Sequence, residues 1–212
     1  KTDSAIGDLI PLDLGTEGAI NMEIVGYDCD ELAAGGNFAA VSLISKELLN
    51  TSHRMNPART PSAPPFDEGT GAIGGWEKSE MRSYLKDTIK PLIPSTVRDA
   101  IVEVTKTQDS YATGGSYEAQ TTTDDVWIPS WDEISSSTKL YGALFANNAR
   151  RVKLKVGGSE TSWWTRKAGH NELTFYLVLT DGSYNRGRDS ANSHGIALGF
   201  CVGVGAPLPS AS

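Results

Sequence analysis

Side chains able to do covalent or metal chemistry are few in this sequence and widely spaced. Histidine occurs only at His53, His170 and His194, and cysteine only at Cys29 and Cys201. Catalysis needs a nucleophile, a base and a group that orients the base. No H-E-x-x-H pair, nucleophile elbow or glycine-rich loop ending in lysine is present to supply one, so no catalytic residue is assigned. Asp28, Asp30 and Glu31 offer oxygen ligands without the spacing and glycine of a calcium loop, and they read as an exposed acidic turn. Asp124 and Asp125 read as the turn entering a strand. Two cysteines are too few for a zinc site and read as free thiols, with a disulfide left open. The expectation is a chain with no metal and no cofactor.

What remains is recognition chemistry. The stretch from Thr174 to His194 carries Tyr176, Tyr184, Asn185, Arg186, Arg188, Asn192 and His194. Tyr and Arg combine large contact area with a polar end, and Asn supplies adaptable hydrogen bonds. A solvated loop between strands has the same composition, and both readings stand. Trp163 and Trp164 are adjacent, and neighbours in a strand face opposite ways. Trp163 joins the candidate ligand-binding set, and Trp164 is placed in the core. Trp76, Trp127 and Trp131 border expected elements and are assigned to the core with Met81, Leu85 and Phe200.

Several elements would hold these residues. Leu9 to Leu14 and Ile20 to Ile24 alternate around a Gly15–Gly18 turn and predict an amino-terminal hairpin. Val41 to Leu49 predicts a strand and a short helix, and the proline-rich 57–75 an irregular loop. Met81, Leu85 and Ile89 recur at four-residue spacing, predicting a helix over 77–90 that is closed by Pro91 and Pro94. A short helix over 95–100, capped by Ser95, and a strand over 101–105 follow. Residues 108–123, rich in Gly, Ser, Thr and Gln, read as a loop. Val126–Ile128 predicts a strand, and Ser130 and Glu133 have the spacing of a capping box. Strands are expected at 163–166, 173–179 and 196–204, with Asp181-Gly182 as a hairpin turn. Helices in the middle and strands at both ends predict an α+β domain whose chain ends pair in one antiparallel sheet. It should span 1–205, with 1–18 as a strand-forming lead-in and 206–212 as a flexible tail.

A chain of 212 residues can bury roughly 70% of its unfolded surface in one core. The net charge of −7 argues against nucleic acid as a partner, since phosphate binding needs a basic footprint. Residues 150–189 nonetheless hold eight Lys/Arg against four acids. This reads either as mutual neutralisation across the fold or as a cationic display surface. No run approaches the roughly 18 apolar residues of a membrane span.

Gly74-Gly75-Trp76, Ser79-x-Met81-Arg82, Asp124-Asp125-Val126-Trp127-Ile128, Trp163-Trp164-Thr165-Arg166 and Gly195 through Val202 occur in that order. Together they resemble a family of uncharacterised domains from bacterial surface proteins and phage tail-associated proteins, over about 20–202. That family in turn resembles the C-type-lectin-like fold of formylglycine-generating enzymes and retroelement-diversified target proteins. The resemblance implies an antiparallel sheet joining both ends, two main helices packed on it, and a ligand-contacting segment at 174–194. Thr165 and Ala197-Leu198 depart from that pattern, and the paired cysteines of the formylglycine-generating chemistry are missing. The implied role is a non-enzymatic display module, a phage tail or cell-surface adhesin, of the kind that includes retroelement-diversified variable proteins. Its partners would be a host-surface protein or glycan and other virion or surface-protein subunits, without membrane insertion. Trimers are common among such proteins, although no coiled-coil heptad is present. The implied location is the virion tail or the bacterial surface. One alternative is a virion structural protein making only subunit contacts, and another is a modifying enzyme on the same scaffold.

Overall fold

A computed structural model describes residues 4–59, 63–158 and 160–206. Apart from Ala206, the expected tail lies outside these residues. The chain is mostly β. Strands β1 (Leu9–Asp13), β2 (Ala19–Tyr27), β3 (Val41–Ser45), β4 (Ile101–Val102), β7 (Val126–Trp127) and β11 (Gly199–Val202) form one six-stranded antiparallel sheet. Its order is β1-β2-β3-β11, and β4 and β7 share the far edge of β11. The first and last strands thus belong to one ladder system. β8 (Trp163–Ala168), β9 (Thr174–Val178) and β10 (Tyr184–Asp189) form a second antiparallel sheet in the order β10-β9-β8. β5 (Val104–Tyr111) and β6 (Tyr117–Asp124) make a long hairpin.

Two main helices on a sheet, and with them the C-type-lectin-like α+β architecture, are not what the chain forms. Strands occupy 36% of it and helices 14%. The one helical run of seven or more residues among those described is α1 (Glu80–Tyr84), which continues through a π turn at Leu85–Ile89 and a 3-10 turn at Lys90–Leu92. Its buried face is Met81, Leu85 and Ile89, as their spacing requires. The expected second helix is a single turn, α2 (Ser95–Arg98), capped by Pro94 without a side-chain hydrogen bond and not by Ser95. A nucleus this short gains too few backbone bonds to lengthen. No helix follows β3, because Leu48 is drawn into a backbone bridge with Lys155.

The expected loop at 108–123 is instead most of the β5–β6 hairpin. Gly114 and Gly115 lie in its turn, with Gly115 at φ +78°, and cross-strand threonines such as Thr107 and Thr121 pair along the arms. Its polar composition arises because much of β6 faces water. At the carboxy-terminal end only Gly199–Val202 is strand, and Gly199 is obligatory there. A Cβ at that position would come within 2.4 Å of the Trp127 ring.

The motif residues lock these pieces together. Ser79 caps α1 by accepting the Arg82 backbone N–H at 3.1 Å. Arg82 Nε then donates to Asp124 Oδ1 at 2.6 Å, while Trp76 Nε1 and Thr122 Oγ1 donate to Asp124 Oδ2 at 3.1 and 2.6 Å. Asp124 therefore holds α1 against the end of β6. Gly75 sits at φ +55°, and a Cβ there would meet Ser110 Oγ at 2.2 Å, so only glycine lets the chain pass the hairpin.

Candidate functional site

Two clusters of charged and aromatic side chains stand out, one on the surface and one inside. They are built from neighbouring residues of α3 (Trp131–Ile134) and β8.

α3 begins with a complete capping box. Ser130 and Glu133 satisfy each other's backbone donors, and Glu133 Oε2 accepts Ser130 N–H at 2.8 Å. Glu133 therefore points back into the protein, and Trp131, two residues earlier, lies half-buried at the surface. Its ring meets Tyr184 at 4.7 Å between centroids and Tyr176 at 6.4 Å, and the two tyrosines lie 5.7 Å apart and within 14° of parallel. The register explains the meeting. Tyr184 opposes Val178, which makes Tyr176 its diagonal neighbour across β9 and β10, within reach of an aromatic ring. Tyr184 is 51% exposed.

Lys167 fixes one flank of this strip. Its ammonium donates to both Asp132 oxygens at 2.8 Å, reaches Asp109 at 2.7 Å and lies 5.4 Å from the Tyr176 ring centre. Burial opposes the charge on Lys167, but the hydrogen bonds to Asp109 and Asp132 outweigh it and raise the pKa. Asp109 is lowered, since bonds from Lys167 and Tyr117 overcome its partial burial. Beyond Asp109 the aromatic surface continues through Tyr117, 50% exposed and edge-on to Tyr111 at 5.0 Å.

The inner cluster starts from the next residues along the same elements. Glu133 accepts two hydrogen bonds from Arg166, one from Nη1 at 2.8 Å and one from Nη2 at 2.5 Å. Arg166 also donates to Gln108 Oε1 at 2.9 Å and to the Ile128 carbonyl at 2.7 Å. Lys106 Nζ sits 3.3 Å from Glu133 Oε1, 2.5 Å from Asp30 Oδ1 and 2.6 Å from the Tyr141 hydroxyl, over the Trp127 ring at 3.7 Å. All of these side chains are buried. Burial opposes each charge, and the opposite charges prevail: Asp30 and Glu133 are held below the ordinary carboxyl range, and Lys106 and Arg166 above theirs. Cys29 and Cys201 are free thiols beside Ser42 and Asp30. Burial pushes Cys29 up to about 11 and Cys201 well above its usual range.

The residues proposed from sequence divide between several environments. Tyr176 and Tyr184 fall on the strip. Arg186 and Asn192 are exposed on β10 and the turn after it. Asn185 turns its side-chain oxygen to the Gly187 N–H at 2.8 Å and shapes the bulge in β10. Arg188 is half-buried. His194 is half-buried, edge-on to Trp164, and bridged through its backbone to His53. Burial and the charge of Arg188 push its pKa down to about 4, so its ring is neutral at pH 7.

Trp163 and Trp131 exchange the burial expected of them. Trp163 is fully buried, its Nε1–H bonded to the Arg151 carbonyl at 3.0 Å, and so cannot touch an external ligand. Trp164 is buried as well, because both faces of β8 are covered. Trp131, expected in the core, lies on the surface, whereas Trp76, Met81, Leu85, Trp127 and Phe200 are buried. Sequence reasoning missed Lys167, Asp132, Asp109 and Tyr117. The capping box was the available signal: once Glu133 is fixed inward, Trp131 and Asp132 have only the outer side of a one-turn helix.

The basic surplus at 150–189 is largely consumed inside. Arg151, Lys153 and Arg166 are buried and Lys167 is paired, which removes half of the eight cations from any display surface.

Residues 42–204 match a family described as a domain of unknown function, DUF6273. No curated protein and no solved structure matches the chain. The matched stretch contains the Asp124 lock, the whole aromatic strip and Lys106, Glu133 and Arg166, while Asp30 lies before it. Because it covers more than half of the sequence, the chain belongs to the DUF6273 family.

Proposed function

We propose that this chain is a non-enzymatic binding module that recognises a glycan through the Trp131, Tyr176 and Tyr184 strip, serving on a phage tail or bacterial surface. The observation that carries the reading is three aromatic rings gathered at the surface, their planes inclined by 14° to 35° to one another and one of them half exposed, with carboxylates and a lysine fixed along one flank. A sugar presents an apolar C–H face and a polar rim of hydroxyls. Aromatic rings bury the first, and Asp132, Asp109 and the tyrosine hydroxyls bond the second. The strip is stiff, since Trp131 is set by the capping box and the tyrosines by a paired register. A stiff surface loses little conformational freedom on binding.

The test is binding of the purified protein to an array of bacterial surface polysaccharides, with intact bacterial cells as a second arm. Tyr184→Ala combined with Trp131→Ala should lower affinity at least about tenfold, equivalent to about 1.4 kcal/mol. Arg188→Ala, away from the strip, should leave binding within about twofold, a difference of about 0.4 kcal/mol. Undiminished binding by the double variant would remove the strip from the site. Binding to cells but to no polysaccharide would replace the glycan with a protein receptor.

A further inference from the structure

We propose that Lys106 and Asp30 condense spontaneously into an intramolecular isopeptide bond, with Glu133 as the base beside the amine. The inference rests on the inner cluster and is independent of the glycan reading.

Three features of the site carry it. Amine and carboxyl are held together, with Lys106 Nζ donating to Asp30 Oδ1 at 2.5 Å and so placed beside the carboxyl carbon that it would attack. Their backbones are pinned to each other, because Thr105 N–H donates to the Glu31 carbonyl at 2.8 Å and Ala33 N–H to the Glu103 carbonyl at 3.0 Å. Holding an amine against a carboxyl in this way substitutes geometry for concentration, and effective molarities of about 10⁵ M or more are attainable when the alignment is good.

The two carboxyl oxygens of Asp30 are also differentiated. Oδ2 accepts from the hydroxyls of Tyr141, at 2.8 Å, and of Ser42. Two donors on one oxygen are what a tetrahedral addition requires for the charge that develops there. Oδ1, facing the lysine, is left to depart. A second carboxylate, Glu133 Oε1, lies 3.3 Å from Nζ, within reach of the amine protons.

Finally, the site is dry. Lys106 and Asp30 are 1% and 2% exposed, and the Trp127 ring covers the ammonium. Condensation releases water, and a site closed to bulk water disfavours the reverse hydrolysis.

The reaction balances without an oxidant or cofactor. The ammonium of Lys106 passes one proton along its hydrogen bond to Asp30 Oδ1, Nζ forms a bond to Cγ, and Glu133 beside Nζ assists removal of the second proton. The Cγ–Oδ1 bond then breaks, Oδ1 leaves with two protons that both began on the ammonium, and the products are a neutral amide and one water. Ionised Lys106 and Asp30 are the resting pair, and the step proceeds from the neutral form that proton transfer within the pair generates.

Intact mass spectrometry of the purified, denatured and reduced full chain tests the proposal. The wild-type mass should fall about 18 Da below that of the sequence, the loss of one water. Protease digestion should yield a branched peptide joining the segments that contain Asp30 and Lys106. The loss should vanish in Lys106→Met and Asp30→Ala, and should be slowed in Glu133→Gln followed over time after refolding. A wild-type chain with its full sequence mass and a cooperative unfolding transition would overturn the proposal, and so would a mass loss that persists in Lys106→Met. Because the wild type alone decides the first point, a variant that fails to fold does not obscure the answer.

Discussion

The inner cluster and the outer strip are made of the same materials: a lysine or arginine, two carboxylates and aromatic rings, contributed by adjacent residues. Glu133 faces inward while Asp132 faces out, and Arg166 is interior while Lys167 borders the strip. A cation lies over an aromatic ring in each, Lys106 over Trp127 at 3.7 Å and Lys167 over Tyr176 at 5.4 Å. What differs is water. Inside, an ion without its partner has no alternative solvation, so removing one member strands the others. Outside, water replaces a lost partner, and the same chemistry becomes adjustable. Composition alone therefore does not decide whether a charged aromatic cluster holds a fold together or meets a ligand. The side of the capping box on which it falls does.

The sharpest way to break this contrast is to remove one carboxylate from each side of α3. Glu133→Gln should destabilise the protein by about 3–5 kcal/mol, because the buried Arg166 guanidinium loses its paired carboxylate. Asp132→Asn should cost at most about 1 kcal/mol. Urea unfolding of the two variants measures both, and equal losses would show that the inner cluster is wetter than its geometry implies. Next in size is the exchange of cations along β8. Arg166→Lys gives up the paired contact with Glu133 and leaves Gln108 and the Ile128 carbonyl without donors, for about 2–3 kcal/mol. Lys167→Arg keeps its charge beside water and should change stability by no more than about 0.5 kcal/mol.

Much of the strand pattern was legible because alternation and turn residues act locally: the amino-terminal hairpin, β7, β8, β9 and the turn at Asp181-Gly182 all follow from it, whereas β10 falls in a stretch whose Asn, Arg and Gly composition reads as a loop. The architecture was not legible. Met81, Leu85 and Ile89 announce a helix, but nothing local says that the turns at Ser95 and Trp131 stop after four residues. The β5–β6 hairpin was hidden because a strand facing water on one side needs no apolar alternation, so Thr121-Thr122-Thr123 resembles a loop. At the candidate site, Tyr176 and Tyr184 were found from composition. Trp131, Lys167 and Asp109 were not, because they come from an unrelated helix and strands, and only tertiary packing brings them to the same face. The exchange between Trp163 and Trp131 has the same origin: alternation assigns a side to each residue of β8 but does not reveal that both sides are covered.

Lys153 offers a test that varies charge without removing atoms. It is buried beside Phe145 and Trp163, its hydrogen-bond partners among the described residues are the backbone carbonyls of Ser45 and Lys46, and burial pushes its pKa down to about 8. Its unfolded value is near 10.5. Below pH 8 both states are protonated, and the folded state bears the full cost of a buried ammonium. As pH rises from 8 toward 10.5 the folded protein releases the proton first, and the contribution of Lys153 to stability increases. Cys29, Cys201, Tyr27, Tyr84, Tyr111, Tyr117 and Tyr141 have raised pKa values and act in the opposite sense there, so the difference from Lys153→Met isolates the lysine. Between pH 7.5 and 9.5 wild type should gain about 2 kcal/mol relative to Lys153→Met. A constant difference would mean that water reaches Nζ.

A smaller effect than that of Lys153 should come from the strip itself, and it bears directly on whether this surface is free to bind. Trp127→Ala, in the interior, should cost about 3–5 kcal/mol through the cavity it leaves. Trp131→Ala removes a ring of the same size, but one already partly in water. The coupling between Trp131 and Tyr184, measured by a double-mutant cycle in urea, should be only about 0.5–1.5 kcal/mol, the range of an aromatic pair beyond its burial. A coupling well above that range would mean that these rings are needed to hold α3 against β9 and β10. A value within it leaves their outward faces available at little expense to the fold, which is the condition a recognition surface has to meet.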